Sequence, residues 1–338
     1  MPARLMAALI ALACSACGKL ITGGDVLTSV QQEEPQSETC TPRSESTQWP
    51  VKVLFITERS GAMCVVDPPG SQPVAGLCEQ VAASIALPPV PGRVNAMAAF
   101  YQRHASRPNL SVSILAFHSS SLAIPFDVVS SGPPPFLWAQ QTDLGQASDL
   151  QGGLEAAEKL LAQDMEATTP ELRARSKYVV VVLSKGVPFP RCAANDARLP
   201  YASPSDPSGV WADSAGAEPF CNNGSSIPEE NLHGFVPGGD RNQNAQLISA
   251  VQRIVSLKGR FGVGDLRVHT ALLFDAATMA SCGPICQDVA FGTAGRDVGR
   301  YTLEQLALYG QGSFIDPGPP QELTLDGLDT AEFTSFCP

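Results

Sequence analysis

Short apolar runs rich in β-branched side chains recur along the chain. Runs of this length and composition predict β-strands. The run Val179-Val180-Val181-Val182 contains no polar residue, which is typical of a strand buried on both faces of a parallel sheet. The predicted strands cover residues 51–57, 110–117, 124–129, 177–183, 267–274 and 313–315.

Between these runs, apolar residues recur at spacings of three and four, which is the pattern of one buried helix face. Ser148 or Asp149 stands at the natural N-cap of one such helix. Thr302-x-x-Gln305 is a capping box that predicts the start of a short last helix. The apolar stripes are Val94, Met97, Ala98 and Tyr101; Leu150, Leu154, Ala157 and Leu161; and Leu247, Ala250, Val251 and Ile254.

Strands and helices therefore alternate from residue 51 to residue 315. This alternation predicts an α/β fold, doubly wound, with a mostly parallel central sheet and helices on both faces. The stretch 187–239, rich in Pro, Ser, Asn, Asp and Gly, follows a predicted strand and is expected to be an insertion at the same rim as the turn after Thr57. Such an architecture hosts many functions, so it says nothing about function by itself.

The first residues predict export from the cytoplasm. Residues 1–17 combine a charged Arg4, an apolar core and small residues before Cys17, as a secretory signal does. A cysteine directly after small residues resembles a bacterial lipobox, so Cys17 is the expected lipidation site of a lipoprotein. Cys14 is the alternative, and a signal without any lipid stays open. The polar stretch 18–48 is expected to be a flexible tether, and 49–338 the folded domain. The chain is thus expected at the bacterial cell envelope, in the periplasm or at the cell surface.

The charge balance narrows the possible partners. The 338 residues carry a formal net charge of −11. Phosphate binding needs clustered Lys and Arg, so this balance argues against nucleic acid. It also argues against adsorption to anionic lipid heads. A membrane contact is therefore expected only through the N-terminal lipid anchor.

The cysteine count fits an exported protein. Ten cysteines are present, and removing Cys14 and Cys17 leaves an even number that can pair completely. Sequence does not fix the connectivity, and proximity in the chain suggests only the first three of the expected pairs. These are Cys64–Cys78, Cys192–Cys221 and Cys282–Cys286, which would staple the long loops; the fourth is Cys40–Cys337.

Four separated segments of the sequence resemble motifs of the von Willebrand factor A (vWA) family. Residues 53–63 resemble its aspartate-x-serine-x-serine motif after an apolar strand, and 147–150 its threonine-asparagine-leucine before a helix. Residues 182–186 resemble its threonine-aspartate-glycine, and 306–314 its last helix and strand. In that family these loops form a metal-ion-dependent adhesion site, where hydroxyls and water held by aspartates bind a divalent cation.

This chain departs from the family pattern at three positions. Glu58 stands for the first aspartate, Ala62 removes a serine ligand, and Lys185 replaces another aspartate. Ser60, Ser148 and Asp149 keep polar groups at the other positions. A dication and an ammonium a few ångströms apart repel strongly. We therefore expect the ammonium of Lys185 to replace the metal by pairing with Glu58, with Ser60 and Asp149 assisting; a solvated Lys185 at a decayed site is the alternative.

The resemblance implies a binding or interaction module rather than an enzyme. We expect no cofactor, although Mg²⁺ or Mn²⁺ stays possible, and we expect a protein or cell-envelope ligand. One alternative is a structural envelope protein whose insertion plugs the old site. Another alternative is a hydrolase that uses rim residues such as Glu58, His118 and Asp149. The sequence shows no nucleophile and general base at the spacing of a known catalytic motif.

Overall fold

Six strands form one sheet in the computed structural model, which describes residues 49–67, 92–118, 121–128, 148–188, 244–274, 295–316 and 323–328. These residues all belong to one compact unit. A second unit, Met1–Pro42 with Cys337, lies outside the described residues. So do Cys78, Cys192, Cys221, Cys282, Cys286 and the insertion from 189 onward, while only the backbone of Cys64 is described. The predicted lipid site, tether and disulfides therefore stay predictions.

The sheet has the order β3-β2-β1-β4-β5-β6, with the first strand near its middle. All neighbouring pairs are parallel except β2 and β3, which are antiparallel. The predicted α/β class with a mostly parallel sheet is confirmed. The strands are β1 Val51–Glu58, β2 Leu110–Phe117, β3 Ser121–Val128, β4 Lys177–Ser184, β5 Asp265–Leu272 and β6 Gln311–Ile315.

The helices cover both faces of this sheet. On one face, Val53 and Phe55 of β1 pack in a core cluster with Phe100. On the other face, Leu54 and Ile56 pack in a second cluster with Leu154, Ile254 and Leu303. Successive residues of β1 thus alternate between two cores, which explains its continuous apolar run. The helices are α1 Met63–Val66, α2 Gly92–His104, α3 Leu150–Ala167, α4 Pro170–Ala174, α5 Asn244–Phe261, α6 Gly295–Tyr309 and α7 Asp326–Leu328.

The predicted capping box at Thr302 is wrong. Thr302 lies inside α6, which begins seven residues earlier at Gly295. Its side chain is buried, and Thr302 Oγ1 lies 3.4 Å from Asn244 Oδ1 of α5. The hydroxyl therefore has a tertiary partner and does not cap the helix. Of the two N-cap candidates for α3, the structure selects Asp149.

The strand register brings the carboxyl ends of the central strands to one edge. Thr57 of β1 pairs with Leu183 of β4 and with Ala116 of β2. The residues that follow β1, β2 and β4 consequently lie side by side, where open α/β sheets build ligand sites. No helix in the described part of the chain has the length and apolar character needed to cross a membrane.

Candidate functional site

Backbone hydrogen bonds join the predicted site segments at the carboxyl edge of the sheet. The amide of Arg59 donates to the carbonyl of Phe117 at 2.7 Å, and the amide of Asp149 donates to the carbonyl of His118 at 2.7 Å. The end of β2 thus fixes both the turn after β1 and the start of α3. The three segments that resemble vWA motifs therefore converge on one edge.

Glu58 and Lys185 form an ion pair at this edge. The ammonium Nζ of Lys185 lies 2.8 Å from Oε1 of Glu58. The side chain of Lys185 is 2% exposed and that of Glu58 is 0% exposed. Lys185 therefore points into the protein and not into solvent, and the alternative of a solvated lysine is wrong.

Two hydroxyls and an amide complete the surroundings of the Glu58 carboxylate. Ser60 Oγ donates to Oε1 at 2.5 Å, and Ser184 Oγ donates to Oε2 at 2.7 Å. The backbone amide of Lys185 also donates to Oε2, at 3.2 Å. Ser184 in turn accepts a hydrogen bond from the amide of Gly186 at 2.9 Å. Together with the ammonium of Lys185, these donors satisfy the hydrogen-bonding capacity of the buried carboxylate, as a buried charge requires.

These contacts decide the charge state of Glu58. Burial by itself raises the pKa of this carboxyl, because it penalises the charged form. The positive charge of Lys185, and hydrogen bonds from Lys185, Ser60 and Ser184, act in the opposite direction and prevail. The pKa of Glu58 therefore lies below its ordinary value, and the group is ionised at neutral pH.

The remaining site positions have different roles. The carboxylate of Asp149 accepts from the amide of Gly152 at 3.0 Å and so caps α3. Ser148 is fully buried, and its hydroxyl has no hydrogen-bond partner within the described part of the chain. Ala62 is packed in the core cluster of β1 and α2. Of the predicted positions, only Ser60 and Lys185 are seen to bond the Glu58 carboxylate.

Two glycines press the turn after β4 against α6. Gly186 has a φ of +76°, and a Cβ built on it would lie 2.2 Å from the carbonyl oxygen of Gly299. A Cβ on Gly299 would lie 2.1 Å from the carbonyl oxygen of Lys185. Neither position has room for a side chain, so the backbone that carries Lys185 is held directly against the helix.

The donor set fits a divalent cation poorly. Mg²⁺ favours six oxygen ligands in near-octahedral geometry. Ala62 offers no ligand, and the ammonium of Lys185 already neutralises the Glu58 carboxylate. Within the described residues, no group of three or more His, Cys, Asp and Glu side chains is arranged to hold a metal ion.

Sequence reasoning missed two contributors to the site, Ser184 and Gly299. Ser184 occupies the threonine position of the third vWA-like segment, so a signal for its hydroxyl was present. Gly299 carried no signal, because its role depends on how closely α6 approaches the turn after β4.

No protein-family model and no curated protein matches the sequence. Three solved structures illustrate its structural similarities. A mutant of the PilB minor pilin from Streptococcus sanguinis shares 14% identity over 80% of this chain and 57% of its own, with a TM-score of 0.40. The pilus adhesin SpaC from Lactobacillus rhamnosus GG shares 12% identity over 79% and 28%, with a TM-score of 0.40. The vWF domain of the pili tip protein Mfa5 from Porphyromonas gingivalis shares 12% identity over 86% and 97%, with a TM-score of 0.43.

The fold class is vWA-like: a doubly wound, mostly parallel sheet with one antiparallel edge strand and its motif segments gathered at the carboxyl edge. The matched region spans less than two thirds of the PilB and SpaC chains. The TM-scores of all three structures are below 0.5.

Proposed function

We propose that this chain is a cell-envelope binding module. It recognises a protein or envelope component at the carboxyl edge of its sheet, without a bridging metal. The observation that carries the proposal is the buried ion pair between Glu58 and Lys185, which occupies the position where the vWA resemblance implies a bound dication. Lipid anchoring through Cys17 would hold the module at the envelope.

The charge balance supports recognition without metal. At a separation of about 5 Å and an effective dielectric constant of about 20, a dication and an ammonium repel by about 7 kcal/mol. A cation entering beside Glu58 would either meet this repulsion or displace Lys185 from a buried hydrogen-bonded position. Both alternatives are costly, and the existing ammonium already supplies the positive charge.

The chain topology supports recognition at the same edge. The described elements that precede and follow residues 68–91, 189–243 and 275–294 end and begin at the carboxyl edge. The ion pair itself is buried, so its role is to fix the turns after β1 and β4 and not to touch the ligand. Ligand contacts would come from the segments joined to these turns.

The burial of the pair also favours the second candidate, a structural envelope protein whose old site is plugged. The hydrolase alternative has less support. The Glu58 carboxylate accepts hydrogen bonds from Ser60, Ser184 and Lys185, and the Asp149 carboxylate caps a helix. That the chain is not an enzyme stays a prediction.

The test is capture of an envelope component by the immobilised mature chain from a detergent-solubilised envelope extract, with and without EDTA. We expect the same component to be captured in both conditions. Arg59→Glu, a charge reversal directly after β1, should weaken this capture by about tenfold, the size of a central contact. Arg103→Glu, at the end of α2 that leads to the amino end of β2, is the matched control and should leave capture unchanged. Capture abolished by EDTA, or lost equally in both variants, would contradict the proposal.

A further inference from the structure

The edge opposite the Glu58–Lys185 pair carries a cluster of arginines and aromatic or apolar side chains, which we call the basal patch. Its residues come from the start of the described chain, from α4 and its following turn, and from the end of α5. Arg175 and Arg260 are exposed, and Leu172 is 43% exposed. The basal patch consists of Trp49, Leu172, Arg173, Arg175, Arg260 and Phe261.

Direct contacts join these residues into one surface. The guanidinium of Arg175 lies 4.2 Å from the ring centroid of Trp49. Arg173 and Arg260 lie 5.8 Å and 5.0 Å from the ring centroid of Phe261. The amide of Gly264 donates to the carbonyl of Arg173 at 3.3 Å, which joins the turn before β5 to α4. The patch is therefore continuous across the amino ends of β1, β4 and β5.

The patch is locally basic although the chain is acidic. Beside it, Lys177, Lys258 and Arg267 share the single carboxylate of Asp265. Glu171 adds one further acid in α4. The two stretches 170–177 and 258–267 contain six basic and two acidic residues. The end of α3, which accepts hydrogen bonds from Arg173, adds Asp164, already paired with Lys52, and Glu166, so the local excess of positive charge is smaller but remains.

The charge of the far edge does not cancel this local excess. A strand of eight residues spans about 25 Å, which is about three Debye lengths at physiological ionic strength. Acidic groups at the carboxyl edge are therefore largely screened from the basal patch. The net charge of −11 excludes general adsorption to anionic lipid but does not exclude docking through this one surface.

The chain also enters the described elements at this edge. Trp49 directly precedes β1, and the amide of Lys177 donates to the carbonyl of Pro50 at 2.9 Å. The predicted tether therefore joins the domain beside the basal patch. A tether of about 30 residues has a root-mean-square span of roughly 30 Å, so an anchor at Cys17 would hold the patch within reach of the headgroups. Because the anchor would already hold the chain at the membrane, a weak contact between the basal patch and the headgroups would be sufficient for docking.

We propose that the basal patch docks on the anionic headgroups of the membrane that anchors the chain. This contact adds a second membrane attachment to the lipid expected at Cys17, and it points the Glu58–Lys185 edge away from the bilayer. Arginine supplies the charge, while Trp49 and Leu172 suit the boundary between headgroups and acyl chains. The inference depends on the predicted lipid anchor and not on recognition at the opposite edge.

The test is sedimentation of the unlipidated mature chain, residues 18–338, with vesicles of phosphatidylcholine with or without phosphatidylglycerol. We expect partition into the vesicles that contain phosphatidylglycerol and none into the neutral vesicles. Raising the salt to 1 M shortens the Debye length from about 8 Å to about 3 Å and should release the chain.

Variants matched in charge locate the contact. Each basic residue near an anionic surface contributes about fivefold in partition, so Arg175→Gln combined with Arg260→Gln should weaken partition roughly 25-fold. Arg253→Gln combined with Arg300→Gln removes the same charge from exposed positions outside the patch and should have little effect. Arg59→Glu also changes the net charge by two and should bind the vesicles as the wild type does. Vesicle binding and envelope capture can thus fail independently.

Three results would overturn the inference. One is an absence of partition into phosphatidylglycerol vesicles by the wild type. Another is an equal loss in the two arginine pairs, because the contact would then follow net charge and not position. The third is release by soluble polyphosphate at the same phosphate concentration as the lipid, which would define a general polyanion site instead of a membrane contact.

Discussion

Two ion pairs at opposite ends of β1 have similar distances and different surroundings. Lys52 near the amino end lies 2.6 Å from Asp164, and the two side chains are 14% and 19% exposed. Glu58 at the carboxyl end lies 2.8 Å from Lys185, with both side chains almost fully buried. Lys52 also donates to Thr168 Oγ1 at 3.2 Å and lies near the rings of Phe126 and Tyr178.

The difference in burial decides what each pair does. A pair in contact with water contributes about 1 kcal/mol or less, because water solvates either partner once the other is removed. When one partner of a buried pair is removed, no water replaces it, and the stability of the protein falls by about 3 to 5 kcal/mol. The Lys52 pair is partly buried and lies between these two limits, while the Glu58 pair is fully buried and fixes the edge where the ligand is expected.

The largest expected effect comes from Lys185→Met, which leaves the Glu58 carboxylate buried without its counter-charge. The free energy of unfolding should fall by about 3 to 5 kcal/mol at pH 7, measured by denaturant titration. Lys52→Met is the matched control on the same strand. Because water reaches this partly buried pair, it should cost less, about 1 to 3 kcal/mol. Equal losses in the two variants would contradict the comparison. Adding Glu58→Gln to Lys185→Met should recover part of the stability.

The next effect comes from Gly186→Ala. Residue 186 has a positive φ, and the new Cβ would meet the carbonyl of Gly299. The backbone conformation and the steric overlap together should cost about 2 to 4 kcal/mol. Gly262→Ala has a similar φ of +65° with nothing within 4 Å, and it should cost about 1 kcal/mol. Thermal unfolding of the two variants measures the difference, and equal melting temperatures would show that α6 does not press on the turn.

A smaller effect is the dependence of the free energy of unfolding on pH. The folded pKa of Glu58 lies below its reference value of 4.5. The stabilisation from its ionised form is therefore fully present above about pH 4.5 and is lost as the pH falls through the folded pKa. In Lys185→Met, burial should raise the pKa of Glu58, so this variant should become more stable as the pH falls. The stability gap between the wild type and this variant should narrow from pH 7 to pH 4, and a constant gap would contradict the pairing.

The smallest effect is at the start of α3. Asp149→Ala removes the side-chain acceptor of the Gly152 amide and should cost about 1 kcal/mol. Thr169, the N-cap of α4, makes no side-chain capping bond, so Thr169→Ala should cost less. Chemical denaturation can resolve the two. A larger loss at Thr169 would show that the cap is not what Asp149 contributes.

The central strands could be predicted from sequence because their signal is local. β1 and β4 are rich in β-branched residues and β2 is a short apolar run, and their predicted ends agree with the structure to within one residue. The start of α6 could not be found in this way. The pattern Thr302-x-x-Gln305 caps a helix only if the hydroxyl reaches its own backbone, and here Oγ1 lies against Asn244 of another helix.

The candidate site likewise combines features that the sequence predicts with features that depend on packing between distant segments. Pairing of Lys185 with Glu58 could be predicted, because the vWA-like segments place both residues at one edge and opposite charges attract. The depth of burial could not be predicted, since it depends on the approach of Gly299 to the turn. The buried hydroxyl of Ser148, which has no hydrogen-bond partner among the described residues, is likewise a product of packing and has no local sequence signal.

We propose that the ammonium of Lys185 supplies the positive charge that a bound dication supplies in the vWA family, which the sequence resembles. Calorimetric titration of the mature chain with Mg²⁺ and then Mn²⁺ measures this directly. We expect no binding at micromolar concentrations of either ion, both in the wild type and in Ser60→Ala. Micromolar affinity in the wild type that disappears in Ser60→Ala would place a metal at this edge and contradict the proposal.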